Sequence, residues 1–567
     1  MTDAGPRGEE ARGSSRLFPP AEWLRSYRAA WLPHDAIAGV TLAAYAIPVS
    51  LAYASLAGLP PERGLYGYLV GGLCYALLGT SRQLAVGPTS AISMLVGTTV
   101  AGMAQGDAAR WAEIAALAAL VFGVMSVLAW VFRLSALVSF ISETILLGFK
   151  AGAALTIAMT QMPKLLGVKG GGEHFLERVH ALAGQLGDTN LAVLGFGLVA
   201  IALIAGGQRM LPGKPVALFV VAASIVVLSV TALKDHGFKV VGDLPAGLPG
   251  IAAPALRAKE VEGIVPLAFA CFLLAYIESV SAARTLAQKN GYDIDPRQEL
   301  LALGAANLGV AFGQGFPVAG GLSQSSVNDR AGARTPLALV FASGAIAACL
   351  FLTGLVRNLP SVVLAAIVLV AVSGLIDVRG LARLRRSSRF EFRIAIAAFA
   401  GVLLLGILKG VVLAAILSLL MLIARAARPH VAFLGRIPGT NRYSGLERNP
   451  DNEAIPGALL FRVESGIFYF NADHVLDTIL GRIRAADPKP SLVVGDLSMS
   501  AYVDVSGARM LSRLQGDLAA QGIRTRLVGA HGAVRDMLRV EGLEERVGEV
   551  SRRIALDDVV REFEAGR

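Results

Sequence analysis

Val86-Gly87-Pro88-Thr89-Ser90-Ala91-Ile92-Ser93 and Phe316-Pro317-Val318-Ala319-Gly320-Gly321-Leu322-Ser323-Gln324-Ser325-Ser326 decide how this chain reads. Each opens an apolar segment abruptly. Proline suits a first helical turn, and Ser or Thr can cap its exposed N–H groups. Both stretches are too polar and Gly-rich to face lipid. Irregular backbone at membrane depth is tolerated only inside protein or beside a water-filled cavity. The pair therefore reads as two half-helices inside a membrane protein. Ordinary Pro/Gly kinks packed against neighbours are the simpler alternative.

The surroundings support a membrane reading. The chain has 567 residues, 54% hydrophobic and 17% charged. From Asp35 to Ala427 it is a succession of apolar runs, whose lengths match the ~20 residues a helix needs to cross ~30 Å of hydrocarbon. Fourteen segments are predicted, at 35–56, 64–79, 88–103, 112–132, 136–160, 190–207, 214–233, 262–284, 298–315, 322–341, 342–356, 360–376, 391–408 and 410–427. The quoted stretches open the third segment of a first seven and the third of a second seven. Short, interrupted segments at matching places in two halves point to a transporter's binding site. Two helix N-termini meeting at mid-membrane offer unpaired N–H donors and positive dipole ends, which suit an anion.

An even number of crossings puts both termini on one side. Arg7, Arg12, Arg16, Arg25 and Arg28 precede the first segment. Arg379, Arg383, Arg385, Arg386, Arg389 and Arg393 precede or open the thirteenth, and Arg425 and Arg428 close the fourteenth. The positive-inside rule makes these regions cytoplasmic in an inner membrane, with loops 161–189 and 234–261 outside. The first apolar run has no signal-peptide cleavage site and is expected to be retained. The net charge of +10 is explained by these loop arginines, without nucleic acid. Cys74, Cys271 and Cys349 lie far apart in apolar runs, so neither a disulfide framework nor a metal site is expected. No cofactor is expected.

Two further features accompany the half-helices. Glu278, followed by Ser279, comes at the end of the uncharged run from Pro266, and an ionisable residue inside a span is a functional candidate by default. The alternative places it near the cytoplasmic end, paired with Arg284. Tyr45-Ala46-Ile47-Pro48-Val49 interrupts the first segment, with Pro48 breaking it near the middle and Tyr45 and Tyr53 available to line a cavity or simply to pack.

On these residues the chain resembles the sulfate permease (SulP) family, whose relatives include the anion exchangers prestin and pendrin. The matching motifs are Ala46-Ile47-Pro48, Ala52-Tyr53-Ala54, Ala57-Gly58-Leu59-Pro60-Pro61, Gly64-Leu65-Tyr66, Leu78-Gly79-Thr80-Ser81-Arg82, Val86-Gly87-Pro88, Glu278-Ser279 and Ala331-Gly332-Ala333-Arg334-Thr335-Pro336. The resemblance implies a polytopic α-helical membrane protein with a seven-plus-seven inverted repeat, divided into core and gate domains, in a homodimer. Its substrate would be a small inorganic or carboxylate anion of the sulfate, bicarbonate, chloride or dicarboxylate kind. Tyr45, Pro88, Thr89, Ser90, Gly321, Leu322, Ser323, Gln324 and Ser325 are the expected substrate-binding residues. Glu278 and Ser279 are the expected coupling residues, for a proton or alternatively for sodium. Family members often carry Gln where this chain has Val49, and many carry Arg where it has Gln324. The site is therefore expected to lack a fixed positive side chain.

After Arg428 no membrane-length run recurs. Residues 1–33 read as an N-terminal segment, 34–428 as the membrane domain, 429–456 as a linker and 457–567 as a soluble α/β domain. Strands are predicted at Ala458 to Val463, Gly466 to Phe470, Ser491 to Leu497 and Thr525 to Val528. Helices are predicted at Asn471 to Ala485, Ser506 to Ala520 and His531 to Val540. The pattern resembles the STAS domain, with Asp496 to Gly507 as its signature loop. The position that carries a phosphorylated Ser in the related anti-sigma-factor antagonists is Val505 here, and Ser506 is expected to cap a helix. No catalytic constellation appears. The functional readings are a proton-coupled anion transporter, sodium-coupled bicarbonate uptake, and an anion channel or sensor whose tail is the output.

Overall fold

The computed structural model describes residues 23, 24, 27–104, 107–135, 143–172, 174–211, 214–231, 233, 236–255, 257–551 and 553–566. The start of the fifth predicted segment and most of the N-terminal stretch lie outside these. The chain forms two compact units, 1–418 and 419–567.

In the first unit, α1 (Leu32–Leu56), α2 (Glu62–Leu78), α3 (Ser90–Ala104), α4 (Ala108–Val131), α5 (Glu143–Leu166), a short α6 (Phe175–Gly184), α7 (Leu191–Met210) and α8 (Val216–Val230) make the first half. The second half is α9 (Ala258–Asn290), α10 (Pro296–Phe312), α11 (Leu322–Arg330), α12 (Leu337–Phe351), α13 (Ser361–Ser373), an arginine-rich α14 (Val378–Ser387), α15 (Arg389–Leu405) and α16 (Ile407–Ala427), whose residues from Leu419 on fall in the second unit. Among the described residues, seven of the helical stretches are long and apolar enough to cross a bilayer on their own.

The packing has the symmetry of an inverted repeat. Helix α1 packs on α12 as α9 packs on α4, and α4 on α10 as α12 on α2. Likewise α5 packs on α15 as α13 packs on α7. The first four helices of each half thus interlock as one group, and α5, α7, α8, α13 and α15 as another. The groups meet where α13 and α8 touch α1, and where α5 touches α3. Small residues permit the close contacts: a side chain at Gly148 on α5 would run into the backbone of Ala395 on α15.

Several boundaries differ from the sequence reading. The tenth and eleventh segments do not divide between 341 and 342. Helix α11 stops at Arg330 because Gly332 adopts φ +95, and α12 begins after Pro336. Helix α1 runs unbroken through Pro48. The loops 161–189 and 376–390 contain the short helices α6 and α14.

Asp35 explains the 331–336 turn. Its buried carboxylate accepts from the backbone N–H of Arg334 at 2.7 Å and of Thr335 at 3.0 Å, and from the Thr335 hydroxyl at 2.7 Å. The first turn of α1 thereby caps the start of α12. At the other end of α2, Glu299 on α10 is fully buried and accepts from the Tyr75 hydroxyl at 2.8 Å and the Thr80 N–H at 2.8 Å.

The second unit is a five-stranded sheet ordered β4-β3-β5-β6-β7, from β3 (Val431–Arg436), β4 (Tyr443–Gly445), β5 (Ala458–Val463), β6 (Leu492–Asp496) and β7 (Arg524–Val528). Strand β3 is antiparallel to both neighbours, while β5, β6 and β7 run parallel. The expected linker 429–456 is therefore the sheet's first hairpin. Side chains alternate between two cores. Val431 and Phe433 pack with α17 (Ala472–Arg484), α18 (Val505–Ala519) and α19 (Gly532–Val540), while Ala432 and Leu434 pack with α21 (Leu556–Ala565). One further turn, α20 (Glu544–Val547), precedes α21. Residues 466–470 are not a strand; Ile467 makes a single bridge to Val503. Asp504, not Ser506, caps α18, accepting from Gly507 N–H at 2.8 Å, and it also accepts from Tyr469 N–H at 2.8 Å.

Replacing Asp35 by Ala strands two buried donors, the N–H and hydroxyl of Thr335, and the part-buried N–H of Arg334. The expected outcome is a loss of at least about 2 kcal/mol, since each stranded donor costs about 1–3. Thermal unfolding of the detergent-solubilised protein should show a clearly lowered midpoint for Asp35→Ala and a smaller drop for Asp35→Asn.

Candidate anion-binding site

The two quoted stretches come together. Val86–Gly87 form β1 and Ala319–Gly320 form β2, an antiparallel pair in which Val86 faces Gly320 and Gly87 faces Ala319. Each strand runs directly into a half-helix, β1 into α3 and β2 into α11. Two broken helices are thus joined at their N-terminal ends inside the first unit.

Buried side chains stitch this junction. The Ser279 hydroxyl accepts from Gly320 N–H at 2.8 Å, and that of Ser325 accepts from Ala85 N–H at 2.9 Å. Gln324 Nε2 donates to the Ala85 carbonyl at 3.1 Å. Asn307 on α10 takes both polar groups of Val318, accepting its N–H at 2.9 Å and donating to its carbonyl at 3.1 Å. Asn328 donates to the Gln83 carbonyl at 3.1 Å. These bonds satisfy backbone that neither helix nor sheet can. The sequence reading gave Ser279, Gln324 and Ser325 to ligands, whereas in the structure they hold the frame. Asn307, Asn328 and Gln83 were missed; the available signal was an amide placed among apolar neighbours.

Other polar groups stay open. Thr89 Oγ1 and Ser93 Oγ, one turn apart on the same face at the start of α3, are buried with no hydrogen-bond partner in the protein. Helix α11 has Gly321 as its N-cap and no side-chain cap, so the first-turn N–H groups at Leu322 and Ser323 have no internal partner. The side chains of Leu322 and Ser323 are exposed, and Pro88, Thr89 and Ser90 are buried.

Helices α1 and α9 supply the remaining wall. The Tyr53 hydroxyl stands against Ser90 and lies in electrostatic reach of Tyr45 and Glu278. Tyr68, whose hydroxyl is buried without a partner, also lies in electrostatic reach of Tyr45. Glu278 is half-buried on α9, and the cation that acts on it is Lys150 of α5, not Arg284. Lys150 sits in the apolar stretch Leu146-Leu147-Gly148-Phe149 and was legible by the same rule that singled out Glu278. Among the described residues no group of His, Cys, Asp and Glu is arranged to hold a metal ion.

Comparison with known proteins agrees with this architecture. Residues 32–398 match the sulfate permease family and residues 449–556 the STAS domain. A probable sulfate transporter of Mycobacterium tuberculosis is 32% identical over 97% of this chain and 98% of its own. The probable sulfate transporter 3.4 of Arabidopsis thaliana is 30% identical over 94% of this chain and 86% of its own. Among solved structures, the murine solute carrier 26 family member A9 anion transporter, in its inward-facing state, aligns with a TM-score of 0.88 at 22% identity, covering 100% of this chain and 97% of that one. The transmembrane domain of the cyanobacterial bicarbonate transporter BicA aligns with a TM-score of 0.61 at 21% identity, covering 68% of this chain and 98% of its own.

Frame and opening should separate by mutation. Ser325→Ala strands the Ala85 N–H and is expected to lower stability by about 1–3 kcal/mol. Ser323→Phe, at an exposed first-turn position, is expected to leave the unfolding midpoint within a degree or two and to abolish anion binding. Thermal unfolding with and without added anion reads both effects. Anion-dependent stabilisation surviving in Ser323→Phe would move the site elsewhere.

Proposed function

The chain belongs to the sulfate permease family, and on that premise we propose that it is a secondary active, proton-coupled transporter of small anions of the sulfate, bicarbonate or dicarboxylate class. In this reading it works in the inner membrane as a homodimer with both termini cytoplasmic. The family and its curated relatives support anion transport.

The observation that carries the reading is the junction of two half-helices through β1 and β2, with no side-chain cap on α11. Each N-terminus presents roughly half a positive charge and several unpaired N–H donors. Thr89 and Ser93 add hydroxyl donors with no partner in the protein. Fixed donors converging where water is scarce favour an anion.

Coupling follows from where the charges sit. Glu278 belongs to the first helix group, the core, and Lys150 to the second, the gate. Ionised, Glu278 cancels the attraction of Lys150 for the substrate and repels the substrate directly. At ~8 Å and an effective dielectric of ~20, that repulsion is about 2 kcal/mol. Protonated, Glu278 leaves Lys150 and the half-helix ends to act together. An anion and a proton thus favour each other's binding, and both are released when core and gate shift relative to one another.

The test is uptake into proteoliposomes of a panel of sulfate, bicarbonate and succinate, with proton and sodium gradients imposed separately. The parent is expected to accumulate its substrate on an inward proton gradient, faster as the external solution is acidified. Glu278→Gln mimics the protonated form permanently. It should bind anion with little pH dependence and lose gradient-driven accumulation. A mutant that still concentrates substrate as well as the parent would remove Glu278 from the coupling. Accumulation on sodium alone would replace the proton.

A further inference from the structure

Helix α5 carries a second lysine, Lys164, fourteen residues beyond Lys150. At 1.5 Å and 100° per residue, the two lie about 21 Å apart along the axis and within about 40° of the same face. Lys164 Nζ donates to the Ser55 hydroxyl at 3.1 Å. Ser55 is on α1, two residues past Tyr53. Lys164 therefore reaches from a gate helix to the core helix that walls the central site.

Lys164 also lines a cavity of about 360 Å³ where α5 ends and α7 and α13 begin. Lys169, Lys239 and Arg178 line it as well, with Thr160 and Ser361 adding hydroxyls. No carboxylate is among its lining residues. The walls are fixed. Gln185 holds Gly170 through both polar groups, at 2.9 and 3.0 Å, and Arg178 Nε donates to the Gly172 carbonyl at 3.2 Å. Asn190 holds the facing loop through the His236 carbonyl at 2.8 Å, and Ser361 N–H donates to the Lys239 carbonyl at 2.8 Å. Lys169 and Lys239 on loops, with Lys164 at the end of α5 and Arg178 on α6, thus place four cationic side chains around one built cavity, in the region that the arginine bias assigns to the outer face.

We propose that this cavity is a second anion site, distinct from the half-helix junction, which concentrates a small oxyanion at the outer mouth of the transport path. A cleft lined by charge of one sign raises the local concentration of its counter-ion. Lys164, half-buried between this cavity and Ser55, is its inner wall. The ligand chemistry is that of an oxyanion, supplied either by free sulfate or by the phosphate of an anionic lipid. The site's role in uptake rests on the transport reading above, but its occupancy does not.

The full chain reconstituted in phosphatidylcholine vesicles is labelled with a membrane-impermeant amine-acylating reagent, and modified lysines are read by peptide mass spectrometry. Inorganic sulfate is compared with chloride at matched ionic strength. Sulfate is expected to slow labelling of Lys169 and Lys239 at least about threefold, the protection given by two-thirds occupancy. The exposed Lys409, at the start of α16, should be unaffected. Equal protection of Lys409, or none at Lys169 and Lys239, overturns the proposal. Protection that requires phosphatidylglycerol and ignores sulfate assigns the cavity to a lipid headgroup and overturns a role in substrate capture. In transport, Lys169→Gln/Lys239→Gln should raise the half-saturating sulfate concentration about three- to tenfold from the outer face alone, with the maximal rate kept. An equal rise from both faces overturns it. A parent protein that moves no sulfate refutes the transport reading while the labelling result still decides the site.

Discussion

Every backbone N–H and C=O within the hydrocarbon must find a partner in the protein, and the junction of α3 and α11 is built around that requirement. Breaking two helices in mid-membrane frees polar backbone on both sides of each break. Strands β1 and β2 satisfy part of it by pairing with one another. Ser279, Ser325, Gln324, Asn307 and Asn328 satisfy more from the protein side. What remains open is the first turn of α11 and the hydroxyls of Thr89 and Ser93. The polar residues of the two motifs thus divide into those that hold the break open and those that face what enters it.

The same division separates three carboxylates that look alike in the sequence. Asp35 and Glu299 are fully buried, yet each is held by converging donors: Arg334, Thr335 and Tyr27 around Asp35, and Tyr75 and Thr80 around Glu299. These donors stabilise the charge and fix the geometry, so both residues serve the frame. Glu278 has no side-chain hydrogen bond among the described residues and answers instead to a lysine on another helix group. A carboxylate free of fixed donors, in electrostatic reach of a cation on the other helix group, is the one suited to the proton coupling proposed above.

Much of the architecture was legible because membrane spans are written in long apolar runs, and because Pro88 and Pro317 punctuate them at matching places. Individual roles were not. Gln324 and Ser325 read as ligand groups because one sequence cannot reveal that Ala85, more than two hundred positions away, needs a donor and an acceptor. Val431 to Leu434 follow so soon after α16 that they read as linker; their strand character appears only against β5. Ser506 was read as a cap because Ser is a good one, but Asp504 precedes it with the right spacing to Gly507. Lys150 interrupts a run that reads for hydrophobic length alone, although a lone lysine in a span is a functional candidate on the same ground as Glu278.

Replacing an arginine by Gln324 has a consequence for turnover. A permeating ion must be held well enough to enter and loosely enough to leave. A guanidinium fixed on α11 would travel with the core and contribute a full charge in every state. Here the core offers only dipole ends of roughly half a charge each, together with neutral hydroxyls. The full positive charges, Lys150 and Lys164, stand on α5 in the gate. In the proposed cycle, their attraction for a core-bound anion would change as the two groups shift. On that proposal the two lysines of α5 and the weakly charged half-helix ends of the core are complementary, and the strongest attractions for the anion come from across the interface between the two helix groups.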